Sequence, residues 1–151
     1  KAIMHPLSIE ALGDLGEGLT TEVWWSPAHP FKSSLTGQTS QSLADAYEAS
    51  SRKQWTQPLG FAHALFEVAS DALKRSKSLK PADVRNAVAS SKLKTVVGDV
   101  AWDGQGPFKN VSKTPLVLGQ WNKGKKFKYE LTIVNNEAAP AIPLGGKLKP
   151  L

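Results

Sequence analysis

At 151 residues the chain is long enough for one domain with a real core, and 40% hydrophobic with 21% charged residues is the make-up of a folded globular protein rather than a disordered or fibrous one. A net charge of +6 would suit a nucleic-acid binder, but Arg occurs only at 52, 75 and 85, Lys is scattered, and the one dense run, Lys123 to Lys126, reads as a turn, so no nucleic-acid partner is expected. The absence of cysteine excludes disulfides, thiolate chemistry and Cys-type zinc sites, and no apolar run approaches the ~20 residues needed to cross a bilayer.

In chain order, Lys1 to Leu7 reads as a short strand leading into Pro6, followed by a brief helix capped by Ser8, with Ile9, Leu12 and Leu15 on one side. Leu19 to Trp25 is β-branched and aromatic, which favours a strand, and Pro27 and Pro30 stop it in a rigid extended connector. A helix can begin at Thr39 or Ser40, since either hydroxyl can accept an amide hydrogen bond while Leu43, Ala46 and Tyr47 recur at helical spacing. The clearest helix runs from about Leu59 to Arg75, with Phe61, Leu65, Val68, Ala69, Ala72 and Leu73 as its apolar stripe and Lys74 and Arg75 at the negative end of its dipole. A third helix opens at Pro81 and buries Val84, Ala87 and Val88.

The period then changes. Thr95 to Trp102 reads as a strand and 103–106 as a tight turn. Leu116 to Trp121 and Phe127 to Val134 flank Asn122-Lys123-Gly124, and Phe127, Tyr129, Leu131 and Ile133 alternate with polar residues, which predicts a hairpin with one buried face. From Ala138 the chain reads as an irregular surface arm. The order makes an α/β or α+β chain with too few strands in its first part for the helices it carries. An apolar helical stripe must be buried against something, so part of the surface that covers it is expected outside these residues.

Catalytic chemistry is not expected. His5, His29 and His63 have no ligand-like spacing, no phosphate-binding glycine loop or nucleophile elbow occurs, and Glu10, Asp14, Glu17 and Glu22 read as a solvated edge. No metal, cofactor or enzymatic activity is therefore predicted. Trp24 and Trp25 are adjacent on a strand and point to opposite faces, so one enters a core and the other can form a flat wall for a planar or apolar ligand.

The blocks Trp24 to Phe31, Gln57 to Phe61, Thr95 to Gly98, 102–106 and Leu118 to Trp121, in this order, resemble periplasmic solute-binding proteins of the branched-chain amino acid (Leu/Ile/Val) type, over about the last two-fifths of such a protein. The resemblance implies an α/β fold: a portion of a two-lobed type I binding protein, each lobe a sheet flanked by helices, with a C-terminal β-hairpin. It implies that 1–23 belongs to the C-terminal lobe, 24–112 to the N-terminal lobe, and 113–151 crosses back as hairpin and tail. It also implies a periplasmic receptor that closes on a solute and docks on the permease of an ABC importer, with the N-terminal portion of the same receptor as its companion. A chain that starts with Lys and shows no leader pattern fits an exported protein after processing or a chain that begins within a fold.

By the same resemblance, the ligand contacts fall on His5 and Pro6 after the first strand, on Trp24 and Trp25 at the crossing, and on Gln57, Pro58 and Phe61 at the helix onset. Where amino acid binders carry an acidic group, this chain reads His5-Pro6-Leu7-Ser8. That substitution points to an aromatic carboxylate, with rings on the aromatics and oxygens on His5 or backbone amides. The alternatives are a branched-chain or other amino acid as solute, or a sensory ligand-binding domain on the same scaffold.

Overall fold

A computed structural model describes residues 2–102, 108 and 110–150. It holds four α-helices, α1 (Pro6–Ala11), α2 (Ser40–Ser51), α3 (Gln57–Arg75) and α4 (Pro81–Ala89), and five strands, β1 (Thr20–Val23), β2 (Lys92–Thr95), β3 (Gly98–Ala101), β4 (Val117–Lys123) and β5 (Tyr129–Asn135). β1, β4 and β5 form one antiparallel sheet in that order, and β2 and β3 form a separate antiparallel pair. The first sheet and α1 make one half of the molecule; α2 to α4 with the β2–β3 pair make the other.

The helices start where the local chemistry dictates. The Thr39 hydroxyl accepts the amide of Ser42 at 3.1 Å, and α3 and α4 each place proline in the first turn, where a missing amide proton costs nothing. α3 ends on Lys74 and Arg75, and Arg75 is held by Asp71 one turn earlier at 2.6 Å. The predicted hairpin is present as β4 and β5, with Tyr129 and Ile133 buried as its alternation requires.

Four local expectations are corrected. Ala2–Met4 is a 3-10 turn rather than a strand, and His5, not Ser8, caps α1, its Nδ1 accepting the amide of Leu7 at 3.4 Å. Thr95 to Trp102 is not one strand: it bends at Val96 and Val97 into the β2–β3 hairpin, with Gly98 at φ +106° making the turn. The connector after Trp25 is not extended, because the His29 amide bonds back to the Ser26 carbonyl at 3.1 Å. The tail is irregular and lies on the surface as expected, anchored there by the fully buried Ile142 and by the bonds Lys149 exchanges with the Gln120 side chain. The turn expected at 103–106 lies outside the described residues.

Three apolar clusters hold the fold. Trp25, Ala44, Ala64, Val96, Val97 and Val100 close the helical half; Val23, Val117, Ile133 and Ile142 pack on one face of the sheet, and Ile9, Trp121 and Tyr129 on α1. α3 does not bury its predicted stripe. Its inner face is Gln57, Gly60, Ala64, Glu67 and Ala72, while Leu65 and Phe66 are 71% exposed and Leu73 50%. Of the predicted stripe, Ala72 is fully buried, and Phe61 and Val68 pack as partly buried residues at the edge of the helical core. The helix thus turns its small and polar face into this chain, while Leu65, Phe66 and Leu73 form a second, apolar side that nothing in this chain covers among the described residues.

Candidate ligand-binding site

The site begins at the end of β1, where the backbone leaves the sheet and enters the helical half. Adjacent side chains part company there. Trp25 turns inward: it is fully buried, its indole N–H donates to Ser40 Oγ at 3.2 Å, and its ring meets Trp55 edge-on at 5.9 Å. Trp24 turns to the other side, half-buried, and meets Phe61 of α3 edge-on, with ring centroids 6.0 Å apart and planes at 75°. Trp24 and Phe61 thus form an edge-on aromatic pair, which we call the wall; Trp25 is a core residue and takes no part in it.

Gln57 sets the wall's position. It is 1% exposed, and both ends of its amide are engaged on the strand: Oε1 accepts the Trp24 amide at 2.7 Å and Nε2 donates to the Glu22 carbonyl at 3.0 Å. The Leu19 carbonyl accepts from Trp121 in β4, so odd-numbered residues of β1 face β4 and the even-numbered Glu22 and Trp24 face the outer edge. The Gln57 amide therefore occupies that outer edge as a neighbouring strand would. Expected as a ligand contact, Gln57 braces the strand with both ends of its amide. One turn on, Gly60 lets α3 lie directly on Trp25; a Cβ there would sit 2.3 Å from the indole Cγ.

The remaining predicted positions are placed as follows. Pro58 is exposed in the first turn of α3, His5 is exposed at the cap of α1, and Pro6 is buried beneath it. The structure brings Trp24, Gln57 and Phe61 together; His5 and Pro6 sit beside the start of the sheet, where the 3-10 turn that precedes them touches β1.

Two polar knots escaped the sequence reading. Glu67, 1% exposed, accepts the Ser34 amide and hydroxyl (2.5 and 2.8 Å) with Oε1 and the Val96 amide (3.0 Å) with Oε2, pinning two loops to α3. His63 meets Ser33 Oγ at 2.6 Å, and that oxygen also accepts the amides of Leu35 and Thr36. The available signal was Gln57, Gly60, Ala64 and Glu67 spaced by three and four residues, a small and polar face beside the larger apolar one. His29 is also buried, its Nδ1 accepting the Ser26 amide at 3.0 Å while burial pushes its pKa down to about 4.

The wall and its brace sit on a known scaffold. A leucine-binding protein, LivK, from Thermotoga maritima superposes with a TM-score of 0.65 at 16% identity, over 87% of this chain and 35% of that one. The fold is that of part of a two-lobed, leucine-type substrate-binding protein. An ABC transporter substrate-binding protein from Sphaerobacter thermophilus matches with a TM-score of 0.61 at 15% identity, over 84% of this chain and 33% of its own. A third, from Desulfitobacterium hafniense and solved in complex with leucine, gives 0.55 at 15%, over 83% and 38%. No family model matches, and no curated protein matches. The chain spans about a third of the length of these binding proteins. Among the described residues no helix is long and apolar enough to cross a membrane.

Proposed function

We propose that this chain is part of an extracytoplasmic solute-binding receptor that closes on a small organic solute and presents it, chemically unchanged, to the permease of an ABC importer. The observation that carries the reading is the binding-protein fold over 87% of the chain, combined with an aromatic pair held at the passage between its two halves. In this reading 1–23 and 113–151 belong to the C-terminal lobe, 24–112 to the N-terminal lobe, and the cleft lies on the Trp24 side. The companion portion of the receptor covers the bare side of α3.

For the solute, the leucine-binding neighbours favour an amino acid with an apolar side chain, which would lie on Trp24 and Phe61. The aromatic carboxylate suggested by His5-Pro6-Leu7-Ser8 draws on the same wall, with His5 beside its oxygens, and is the second reading. A thermal-shift screen of the complete receptor separates them. Binding to the folded state alone raises the melting temperature by mass action, and leucine, isoleucine, phenylalanine, benzoate and 4-hydroxybenzoate form the panel. Stabilisation by leucine but no benzoate retires the aromatic acid; stabilisation by none of the panel or of a wider set of organic acids and amino acids overturns the receptor reading.

A further inference from the structure

The two halves of the molecule also meet on the side of β1 opposite Trp24. There the turn between β4 and β5 reaches across to α2. Lys126 Nζ lies 2.6 Å from Glu48 Oε2, and the Glu48 side chain is only 9% exposed, its other oxygen accepting the Trp55 amide at 3.2 Å. Beside it Gln54 Nε2 donates to the Tyr129 carbonyl at 2.9 Å. The hairpin end is held rigidly for this contact, since Glu130 Oε1 accepts the amides of Lys126 and Phe127 at 3.0 and 3.4 Å. Between the two halves lies a cavity of about 270 Å³, lined by Ser26, Trp55, Asp45, Glu48, Glu130 and Lys126 among others.

Trp24 and Trp25 mark the two sides of one hinge strand. Rotation that brings the halves together over Trp24 moves them apart over Trp25 and Trp55, because the strand between acts as the fulcrum. The contacts on the Trp55 side are made in this structure, and closure over Trp24 would stretch them. We propose that the Lys126–Glu48 pair is an affinity-determining contact outside the solute site: it stabilises the open receptor, and its rupture is part of the cost of closing on solute. Lys126 lines this cavity together with Asp45, Glu48 and Glu130, so its removal leaves three carboxylates at the seam with one less cation among them. A ligand's apparent affinity falls by the fraction of receptor held in the non-closing form, so loosening the open form tightens binding.

The inference rests on the receptor reading above, and the test separates the two. In the complete receptor, Lys126→Gln and Glu48→Gln are compared with the parent and with the double variant; Gln at 48 keeps an acceptor for the Trp55 amide. Leucine, or whichever solute the screen identifies, should bind roughly three- to fivefold more tightly to each single variant, with the double variant no tighter than the singles because one contact is lost in all three. Unchanged or weakened binding in both single variants overturns the proposal. If the parent binds nothing, the receptor reading fails by itself, and small-angle scattering still decides the contact: a smaller radius of gyration in the solute-free variants supports it, and an unchanged radius overturns it.

Discussion

At the scale of single residues, buried polar groups decide most. Gln57 satisfies two backbone groups at the edge of β1, and Gln57→Leu keeps the volume while orphaning both. Each buried group left unsatisfied costs about 1–3 kcal/mol, so urea denaturation should show a loss of roughly 2–6 kcal/mol; a loss below about 0.5 kcal/mol, the range of ordinary surface changes, would mean that the brace is idle. His29 makes stability depend on pH. Folded, it takes a proton only near pH 4; unfolded, near 6.5. Between those values the unfolded chain binds more protons, so the stabilisation is full above about pH 6.5 and is lost as pH falls toward 4, on the order of 3 kcal/mol in all. His29→Asn should flatten the difference between denaturant midpoints at pH 7 and 4.5, whatever it does to stability at pH 7; an unaltered slope would assign the effect to other groups.

At the scale of elements, α3 shows two opposing tendencies whose magnitudes can be compared. Ala in place of Gly60 would gain about 1 kcal/mol of helix propensity, yet its Cβ would fall within 2.6 Å of three indole atoms of Trp25. Overpacking of a rigid indole costs about 1–3 kcal/mol or more, so Gly60→Ala should lower the melting temperature despite the better helix former, and a rise would show that α3 can shift off Trp25. The element also explains what was legible. The positions of α2, α3 and α4 and the β4–β5 hairpin follow from caps, prolines and periodicity, all local. Residues 2–4 and the run 95–102 misled because β-branched residues such as Ile3, Thr95 and Val96 report strand preference, while a turn at Val96 and Val97 is set by Thr95 and Glu67, whose bonds to that turn no pattern displays.

At the scale of the whole molecule, the second apolar side of α3 is the informative feature. Leu65, Phe66 and Leu73 are large exposed apolar side chains on one helix, of the kind that marks an interface. Leu65→Glu combined with Phe66→Ser should change the stability of this chain by less than about 0.5 kcal/mol, because both sites are already solvated, yet abolish its association with the companion portion of the receptor in a pull-down or by size-exclusion chromatography. Retained association would move the covering surface elsewhere. The candidate site divides in the same way. That two adjacent tryptophans face opposite sides was readable from strand geometry; that Trp25 is the one that enters the core, and that Gln57 braces the strand, was not.

The residues by themselves determined that this is a folded α/β chain without cysteine or a catalytic motif, where its helices and hairpin lie, and which binding-protein scaffold it resembles. Those properties depend on neighbours within a few positions, or on blocks whose order survives in the sequence. Tertiary structure decided which side of α3 is buried, which tryptophan enters the core, and that Lys126 meets Glu48 across 78 positions. Such choices depend on partners distant along the chain, and periodicity marks an apolar face without saying what covers it.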